Sequence, residues 1–315
     1  MPEGMKVEDL KIVFDVGGER AQQVMACLNE IAKPAEAPAS SVSTFSEAPI
    51  RHGSVTVNLE NGEETVLYED ELYLEQPSTQ DNNSVPDYDS PLSPHAQPPS
   101  LLRSTDWTEE NPQNYADTKS TFKLYAQKNG QVYQSSGFKV GPRYVASAGH
   151  AIYQLNWEFG GQGWVESVLC VPAFKLAPSN WPFGATYANT KNMTVGVNWK
   201  NEYEGEDWSV FEVQDFLDTG MLQKRNVQNV NLIGSPVRTQ GYEIGDKNMT
   251  LSWGTVESDS APFINSDCTT QKGHSGSPVL DINSRVIGLH RAATYGTAIV
   301  LRFDTWLYNK MCTYQ

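Results

Sequence analysis

The chain has 315 residues and a formal net charge of −15, which is length enough for one large or two modest domains. All of that charge lies in the first third: residues 1–110 carry 21 acidic and 6 basic side chains, whereas residues 111–315 carry 17 of each. No basic face or cluster is apparent, which argues against a nucleic-acid partner, and no apolar run is long enough to span a membrane.

The first residues lack a basic segment followed by an apolar one, so no secretory signal is expected. That points to the cytoplasm or to non-classical export, with secretion left open. Lys11 to Val16 reads as a strand. Glu19 to Ala32 reads as a helix, with Ala21, Val24, Met25, Leu28 and Ile31 at helical spacing. Lys33 to Pro49 is rich in Pro, Ala and Ser and reads as a linker. Two alternating runs follow, Ser54 to Leu59 and Glu64 to Tyr68, around Asn61-Gly62, a strong hairpin signal. Residues 1–75 are therefore expected to form a small mixed α/β module or a propeptide. Residues 76–106 are rich in Pro, Ser, Asp and Asn and cannot bury enough apolar surface to order themselves, which predicts a disordered linker.

Residues 107–315 change character. Short apolar runs separated by turn signals predict strands at Phe122–Tyr125, Val132–Val140, Tyr144–Ala148, Trp164–Pro172, Met193–Trp199 and Trp208–Val213. After a connection at Met221–Asn231, further strands are predicted at Val237–Tyr242, Met249–Val256, Pro278–Ile282, Val286–His290 and Thr297–Phe303, with a short terminal helix at Asp304–Tyr308. Many strands and few helices predict an all-β class: two six-stranded antiparallel barrels. Cys27, Cys170, Cys268 and Cys312 show no pairing pattern. No metal-ligand spacing appears, and no metal or cofactor is expected.

The chemistry concentrates in Thr269 to His290, TTQKGHSGSPVLDINSRVIGLH. Glycines two before and one after Ser275 suit a tight turn that lifts a hydroxyl into a cleft, because glycine adopts backbone conformations closed to other residues. Of the five histidines, His52 and His95 lie in polar, Pro- and Ser-rich surroundings, and His274 adjoins the serine too closely to act as its base. His290 follows a strand. His150, in VGPRYVASAGH, follows a turn, a short strand and small residues, and is the natural base. An acid that accepts from the second imidazole nitrogen fixes the tautomer. Asp207 is the preferred candidate because it immediately precedes the alternation Trp208 to Val213; Glu204, Glu206 and Asp215 are rivals.

The order His150, Asp207, Ser275 is that of the chymotrypsin-like serine peptidases. The pieces VGPRYVASAGHAIY, EDWSVFEV, IGSPVRTQGYEIGDKNMTLSWGTVE and the block from Thr269 to His290 resemble the V8-like glutamyl endopeptidases of that superfamily, over roughly three-fifths of the chain. The resemblance implies two β-barrels, an oxyanion hole formed by the backbone N–H groups of Gly273 and Ser275, and a pocket lined by Thr270 and His290. It implies protein or peptide substrates cut after Glu or Asp, through an acyl-enzyme. It also implies a zymogen, matured by self-cleavage at Glu109-Glu110 or by another protease after Arg103; a permanent N-terminal docking module is the alternative. His274 departs from the asparagine more usual in the family, and the segment between His150 and Asp207 aligns poorly. Two other functions stay open: a viral-type processing protease with Gln or Glu specificity, and a catalytically silent trypsin-like binding module.

Overall fold

The computed structural model describes residues 51–68, 105–106, 116–155, 161–174, 181, 183–215, 217–245, 248–294 and 297–314. The strand expected at 11–16, the helix at 19–32, the linkers at 33–49 and 76–103, Cys27 and Glu109-Glu110 lie outside them.

In chain order the strands are β1 (Gly53–Asn58), β2 (Glu63–Tyr68), β3 (Thr105–Asp106), β4 (Thr121–Lys128), β5 (Gln131–Gly141), β6 (Tyr144–Ser147), β7 (Tyr153–Gln154), β8 (Gly163–Trp164), β9 (Ser167–Pro172), β10 (Thr186–Gly196), β11 (Ser209–Val213), β12 (Pro236–Tyr242), β13 (Met249–Ser260), β14 (Phe263–Ser266), β15 (Pro278–Leu280), β16 (Val286–Thr294) and β17 (Thr297–Arg302). Helix α1 (Ala116–Lys119) precedes β4, and α2 (Thr305–Cys312) ends the described chain. Asp304 caps α2, its Oδ1 accepting from Leu307 N–H at 2.8 Å.

Two antiparallel barrels result. The first runs β11-β6-β5-β4-β9-β10 and closes through β10–β11; the second runs β12-β15-β16-β17-β14-β13 and closes through β12–β13. Phe122, Leu124, Val168, Cys170, Val195 and Phe211 fill the first barrel. Val237, Val256, Ile264, Val279, Ile287 and Val300 fill the second. A third cluster joins the barrels: Phe138, Ala146 and Trp208 from the first meet Leu280, Leu289 and Leu301 from the second, with Trp306 and Met311 of α2 packed on them. A buried ion pair adds to the joint, Arg238 Nη2 of β12 donating to Asp117 Oδ2 of α1 at 2.8 Å with both side chains fully buried.

The structure departs from the expected elements in several places. The strand expected at Met193–Trp199 runs from Thr186 to Gly196, the run Trp164–Pro172 divides between β8 and β9, and β7 and α1 are unanticipated. The 54–68 hairpin forms, and its β1 pairs with β10 of the first barrel, Val55 opposite Val195 and Val57 opposite Met193. Thr105 and Asp106, placed in the linker, pair with β13. Strand β14 is unanticipated, because its sequence FINS is too short and too polar to stand out.

Candidate active site

Ser275 sits in the loop between β14 and β15. Gly273 has φ +100° and Gly276 φ +84°, both in the left-handed region. A Cβ on Gly273 would lie 2.6 Å from Ile244 N and Tyr242 O, and one on Gly276 would lie 2.1 Å from Ser147 Oγ and 2.2 Å from Ser136 O. The turn is thus packed as tightly as glycine allows. Among the bonds that pin it to neighbouring strands and loops are Ile244 N–H to Lys272 O (2.8 Å), Ser136 N–H to Ser275 O (2.8 Å) and Ser136 Oγ to Gly273 O (2.9 Å).

The fate of the loop's N–H groups is informative. Those of His274, Gly276 and Ser277 donate to the carbonyls of Gln271, His290 and His274. Among the described residues, those of Gly273 and Ser275 donate to no backbone carbonyl. Because Lys272 O is held by Ile244, the planar trans peptide turns Gly273 N–H to the opposite side.

His150 lies on a 3-10 turn, Gly149–Ala151, just after β6. Its Nδ1–H donates to Asp207 Oδ2 at 2.8 Å, and its backbone N–H donates to Asp207 Oδ1 at 2.8 Å. Asp207 is buried while the imidazole is about one-third exposed, 34%. Burial pushes the Asp207 carboxyl up, but the charge and hydrogen bonds of His150 and the charge of Arg291 outweigh it and hold the acid below its ordinary range. The rival acids are engaged elsewhere. Glu206 accepts from His52 and Asn198, Glu204 pairs with Arg291, and Asp215 accepts from Thr186.

Arg291 is the residue that sequence reasoning missed. Its Nε lies 3.2 Å from Asp207 Oδ2, the oxygen that also holds His150, and its Nη2 lies 2.8 Å from Glu204 Oε1. Its carbonyl accepts from Ser275 Oγ at 3.3 Å. One residue of the second barrel therefore touches both the serine and the acid. The ladder shifts register beside it: His290 faces Val300 and Ala292 faces Ile299, leaving Arg291 as an extra residue in β16. Such a bulge re-aims a side chain. Nothing in the sequence announces it.

Thr270 and His290 meet, His290 Nε2 lying 2.9 Å from Thr270 Oγ1. Burial, reinforced by the charges of His274 and His150, lowers the His290 pKa to about 3, so this imidazole is neutral. Its backbone is locked beside Ser275, with His290 N–H donating to Ser277 O and His290 O accepting from Gly276 N–H. His274 stands edge-on to His290, ring centroids 6.1 Å apart. Its Nδ1 accepts from Gln271 N–H and its Nε2 contacts Thr250 Oγ1 at 2.7 Å, so it too is a buried structural histidine, its pKa lowered by burial.

Residues 135–289 match the trypsin-like peptidase domain family. The chain carries a trypsin-like peptidase domain, that of a serine endopeptidase. Its substrates are proteins or peptides. The solved structures similar to this domain include a Glu endopeptidase, 19% identical with TM-score 0.56, covering 68% of this chain and 97% of that one. The protease Anisep of Arthrobacter nicotinovorans is 16% identical with TM-score 0.53, over 67% of this chain and 99% of that one. An inactivated protease paralogue of the scabies mite is 12% identical with TM-score 0.51, over 62% of this chain and 96% of that one. These likenesses share the double-barrel fold. No curated protein matches the sequence.

Proposed function

We propose that the peptidase is a V8-like glutamyl endopeptidase that cleaves after Glu, and less well after Asp, with His150, Asp207 and Ser275 as its catalytic residues. The observation that carries this reading is the Thr270–His290 pair, 2.9 Å apart and locked by backbone bonds to the loop that bears Ser275.

Because His150 Nδ1 carries the proton shared with Asp207, Nε2 is the free base. On substrate binding the Ser275 hydroxyl leaves the Arg291 carbonyl for His150 Nε2. His150 then takes its proton as Oγ attacks the scissile carbonyl, and Asp207 stabilises the imidazolium. The N–H groups of Gly273 and Ser275 receive the oxyanion. His150 returns the proton to the leaving amine, and water, activated by the same base, releases the acyl-enzyme.

A glutamate side chain in the pocket meets a hydroxyl and an imidazole rather than a fixed cation. Its carboxylate needs partners to offset desolvation. The Thr270 hydroxyl supplies one donor. His290 supplies another and gains basicity once the carboxylate arrives. Paired fluorogenic peptides, identical except for Glu or Gln before the cleaved bond, test the assignment in the wild type and in Ser275→Ala. Preference for Glu, abolished by Ser275→Ala, is expected. Preference for Gln moves the protein to the processing-protease class, and no cleavage by folded wild type moves it to the silent-module class.

A further inference from the structure

We propose that the hairpin at residues 51–68 is a permanent working part of the peptidase, which stays docked and holds the Asp207 turn in place even when the chain is cut between residues 69 and 104. The docking half of this inference is independent of the function proposed above; the catalytic half rests on it.

The hairpin is built into the barrel. Strand β1 pairs with β10 over Ser54–Val57, and Val55 and Val57 are 2% exposed within the first barrel's core. Further bonds extend the contact beyond the ladder. Leu59 N–H donates to Thr190 O (2.7 Å), Val197 N–H to Gly53 O (3.0 Å) and Asn198 Nδ2 to Arg51 O (2.9 Å). Glu64 accepts from Trp164 Nε1 (2.6 Å) and Lys200 Nζ (2.5 Å). Such a strand addition takes its affinity from main-chain bonds and its register from buried alternate side chains. Undocking it would expose Val55, Val57 and the β10 edge that β1 covers.

The end of the hairpin reaches the catalytic acid's neighbour. His52 Nδ1 lies 2.9 Å from Glu206 Oε1, and Glu206 is fully buried. Glu206 also accepts from Asn198 N–H (2.8 Å) and Asn198 Nδ2 (3.1 Å). His52 stacks on Trp306, centroids 4.7 Å apart, and Trp306 packs on Trp208. Asp207 is thus flanked by Glu206, which His52 touches directly, and by Trp208, which packs on the Trp306 that His52 stacks against. Gly196 allows this closeness, since a Cβ there would lie 2.5 Å from Glu206 O. His52 is a positioning residue that acts through Glu206. Without it, a buried carboxylate beside Asp207 loses a donor, and the turn presenting Asp207 to His150 loses an anchor.

The test uses the full chain with a recognition sequence for a sequence-specific protease placed at one bond between residues 69 and 104. After cutting, the two pieces are expected to co-elute in gel filtration without denaturant, with kcat/KM for the Glu peptide within about twofold of the uncut chain. Separation of the pieces with activity retained by the larger one would overturn the proposal, and the hairpin would then be a removable leader. In the uncut chain, His52→Leu is expected to lower kcat about tenfold with KM little changed, and His52→Asn, whose amide can still donate to Glu206, to recover most of it. Unchanged kcat in a folded His52→Leu chain would overturn the positioning role. If no chain, cut or uncut, cleaves any peptide, the glutamyl peptidase reading fails, while co-elution still decides the docking.

Discussion

Replacing Arg291 with methionine removes a positive charge from the His150–Asp207 pair while keeping most of the side chain's bulk. Arg291 Nε and His150 Nδ1 share Asp207 Oδ2 at 3.2 and 2.8 Å. The guanidinium charge therefore sits roughly 4 Å from the carboxylate, and at an effective dielectric of about 40 two opposite unit charges at about 4 Å attract by roughly 2 kcal/mol. Burial pushes the Asp207 carboxyl up, and Arg291 is one of the charges that hold it below its ordinary range. Because the folded-state value is lowered, this stabilisation is present at neutral pH and is lost as pH falls through the carboxylate range. Arg291→Met is therefore expected to cost about 2 kcal/mol of stability at pH 7 and clearly less at acid pH, and Arg291→Lys to cost less than Arg291→Met at pH 7. The neighbouring groups that enter the same balance are Glu204, which pairs with the guanidinium, His150 on the shared carboxylate oxygen, and Glu206 with His52 behind Asp207. The assay is the urea midpoint of each chain measured from neutral to acid pH. A cost that is absent at pH 7, or that is as large at acid pH as at pH 7, refutes the electrostatic argument.

Other outcomes follow from buried groups. The His290 pKa falls to about 3 in the folded chain, so between its ordinary value of 6.5 and about 3 the unfolded chain holds a proton that the folded chain does not. Stability should therefore fall as pH drops through that window, and His290→Gln should flatten urea midpoints measured between pH 6 and 4. Lys224 is depressed to about 8 by burial, its Nζ donating to Val140 O at 2.9 Å. Its burial cost is present below about pH 8 and relieved as pH rises toward 10.5, so any gain from Lys224→Met at pH 7 should shrink by pH 10. Asp117→Asn removes the carboxylate to which the fully buried Arg238 Nη2 donates and should cost about 3–5 kcal/mol by chemical denaturation, while Asp117→Leu with Arg238→Met should recover much of it. Gly276→Ala should abolish cleavage of the Glu peptide and lower the urea midpoint, since a Cβ there strikes Ser147 Oγ and Ser136 O beside Ser275.

Several features were legible in the chain because they depend on neighbours in sequence. Gly273 and Gly276 announce a turn that no other residue could make, and the alternations after Phe122, Val132 and Val237 announce strands whose edges alone were misjudged. His150 and Ser275 stood out by local context. Other features depend on groups far apart in the chain, and only the folded structure chose among them. Which of four acids meets His150 is a question across 57 residues, decided because Glu206 turns to His52 and Asn198 while Asp207 turns to the imidazole. The hairpin could be read at Asn61-Gly62, but its place against β10 could not, since a pattern of alternating residues does not name the strand that it will pair with. Arg291 was silent in the sequence because an unpaired residue in a ladder has no composition of its own; the register slip between His290 and Ala292 aims it at Asp207. Local rules thus set the turns and strands, whereas the packing of one barrel against the other decided which charges meet.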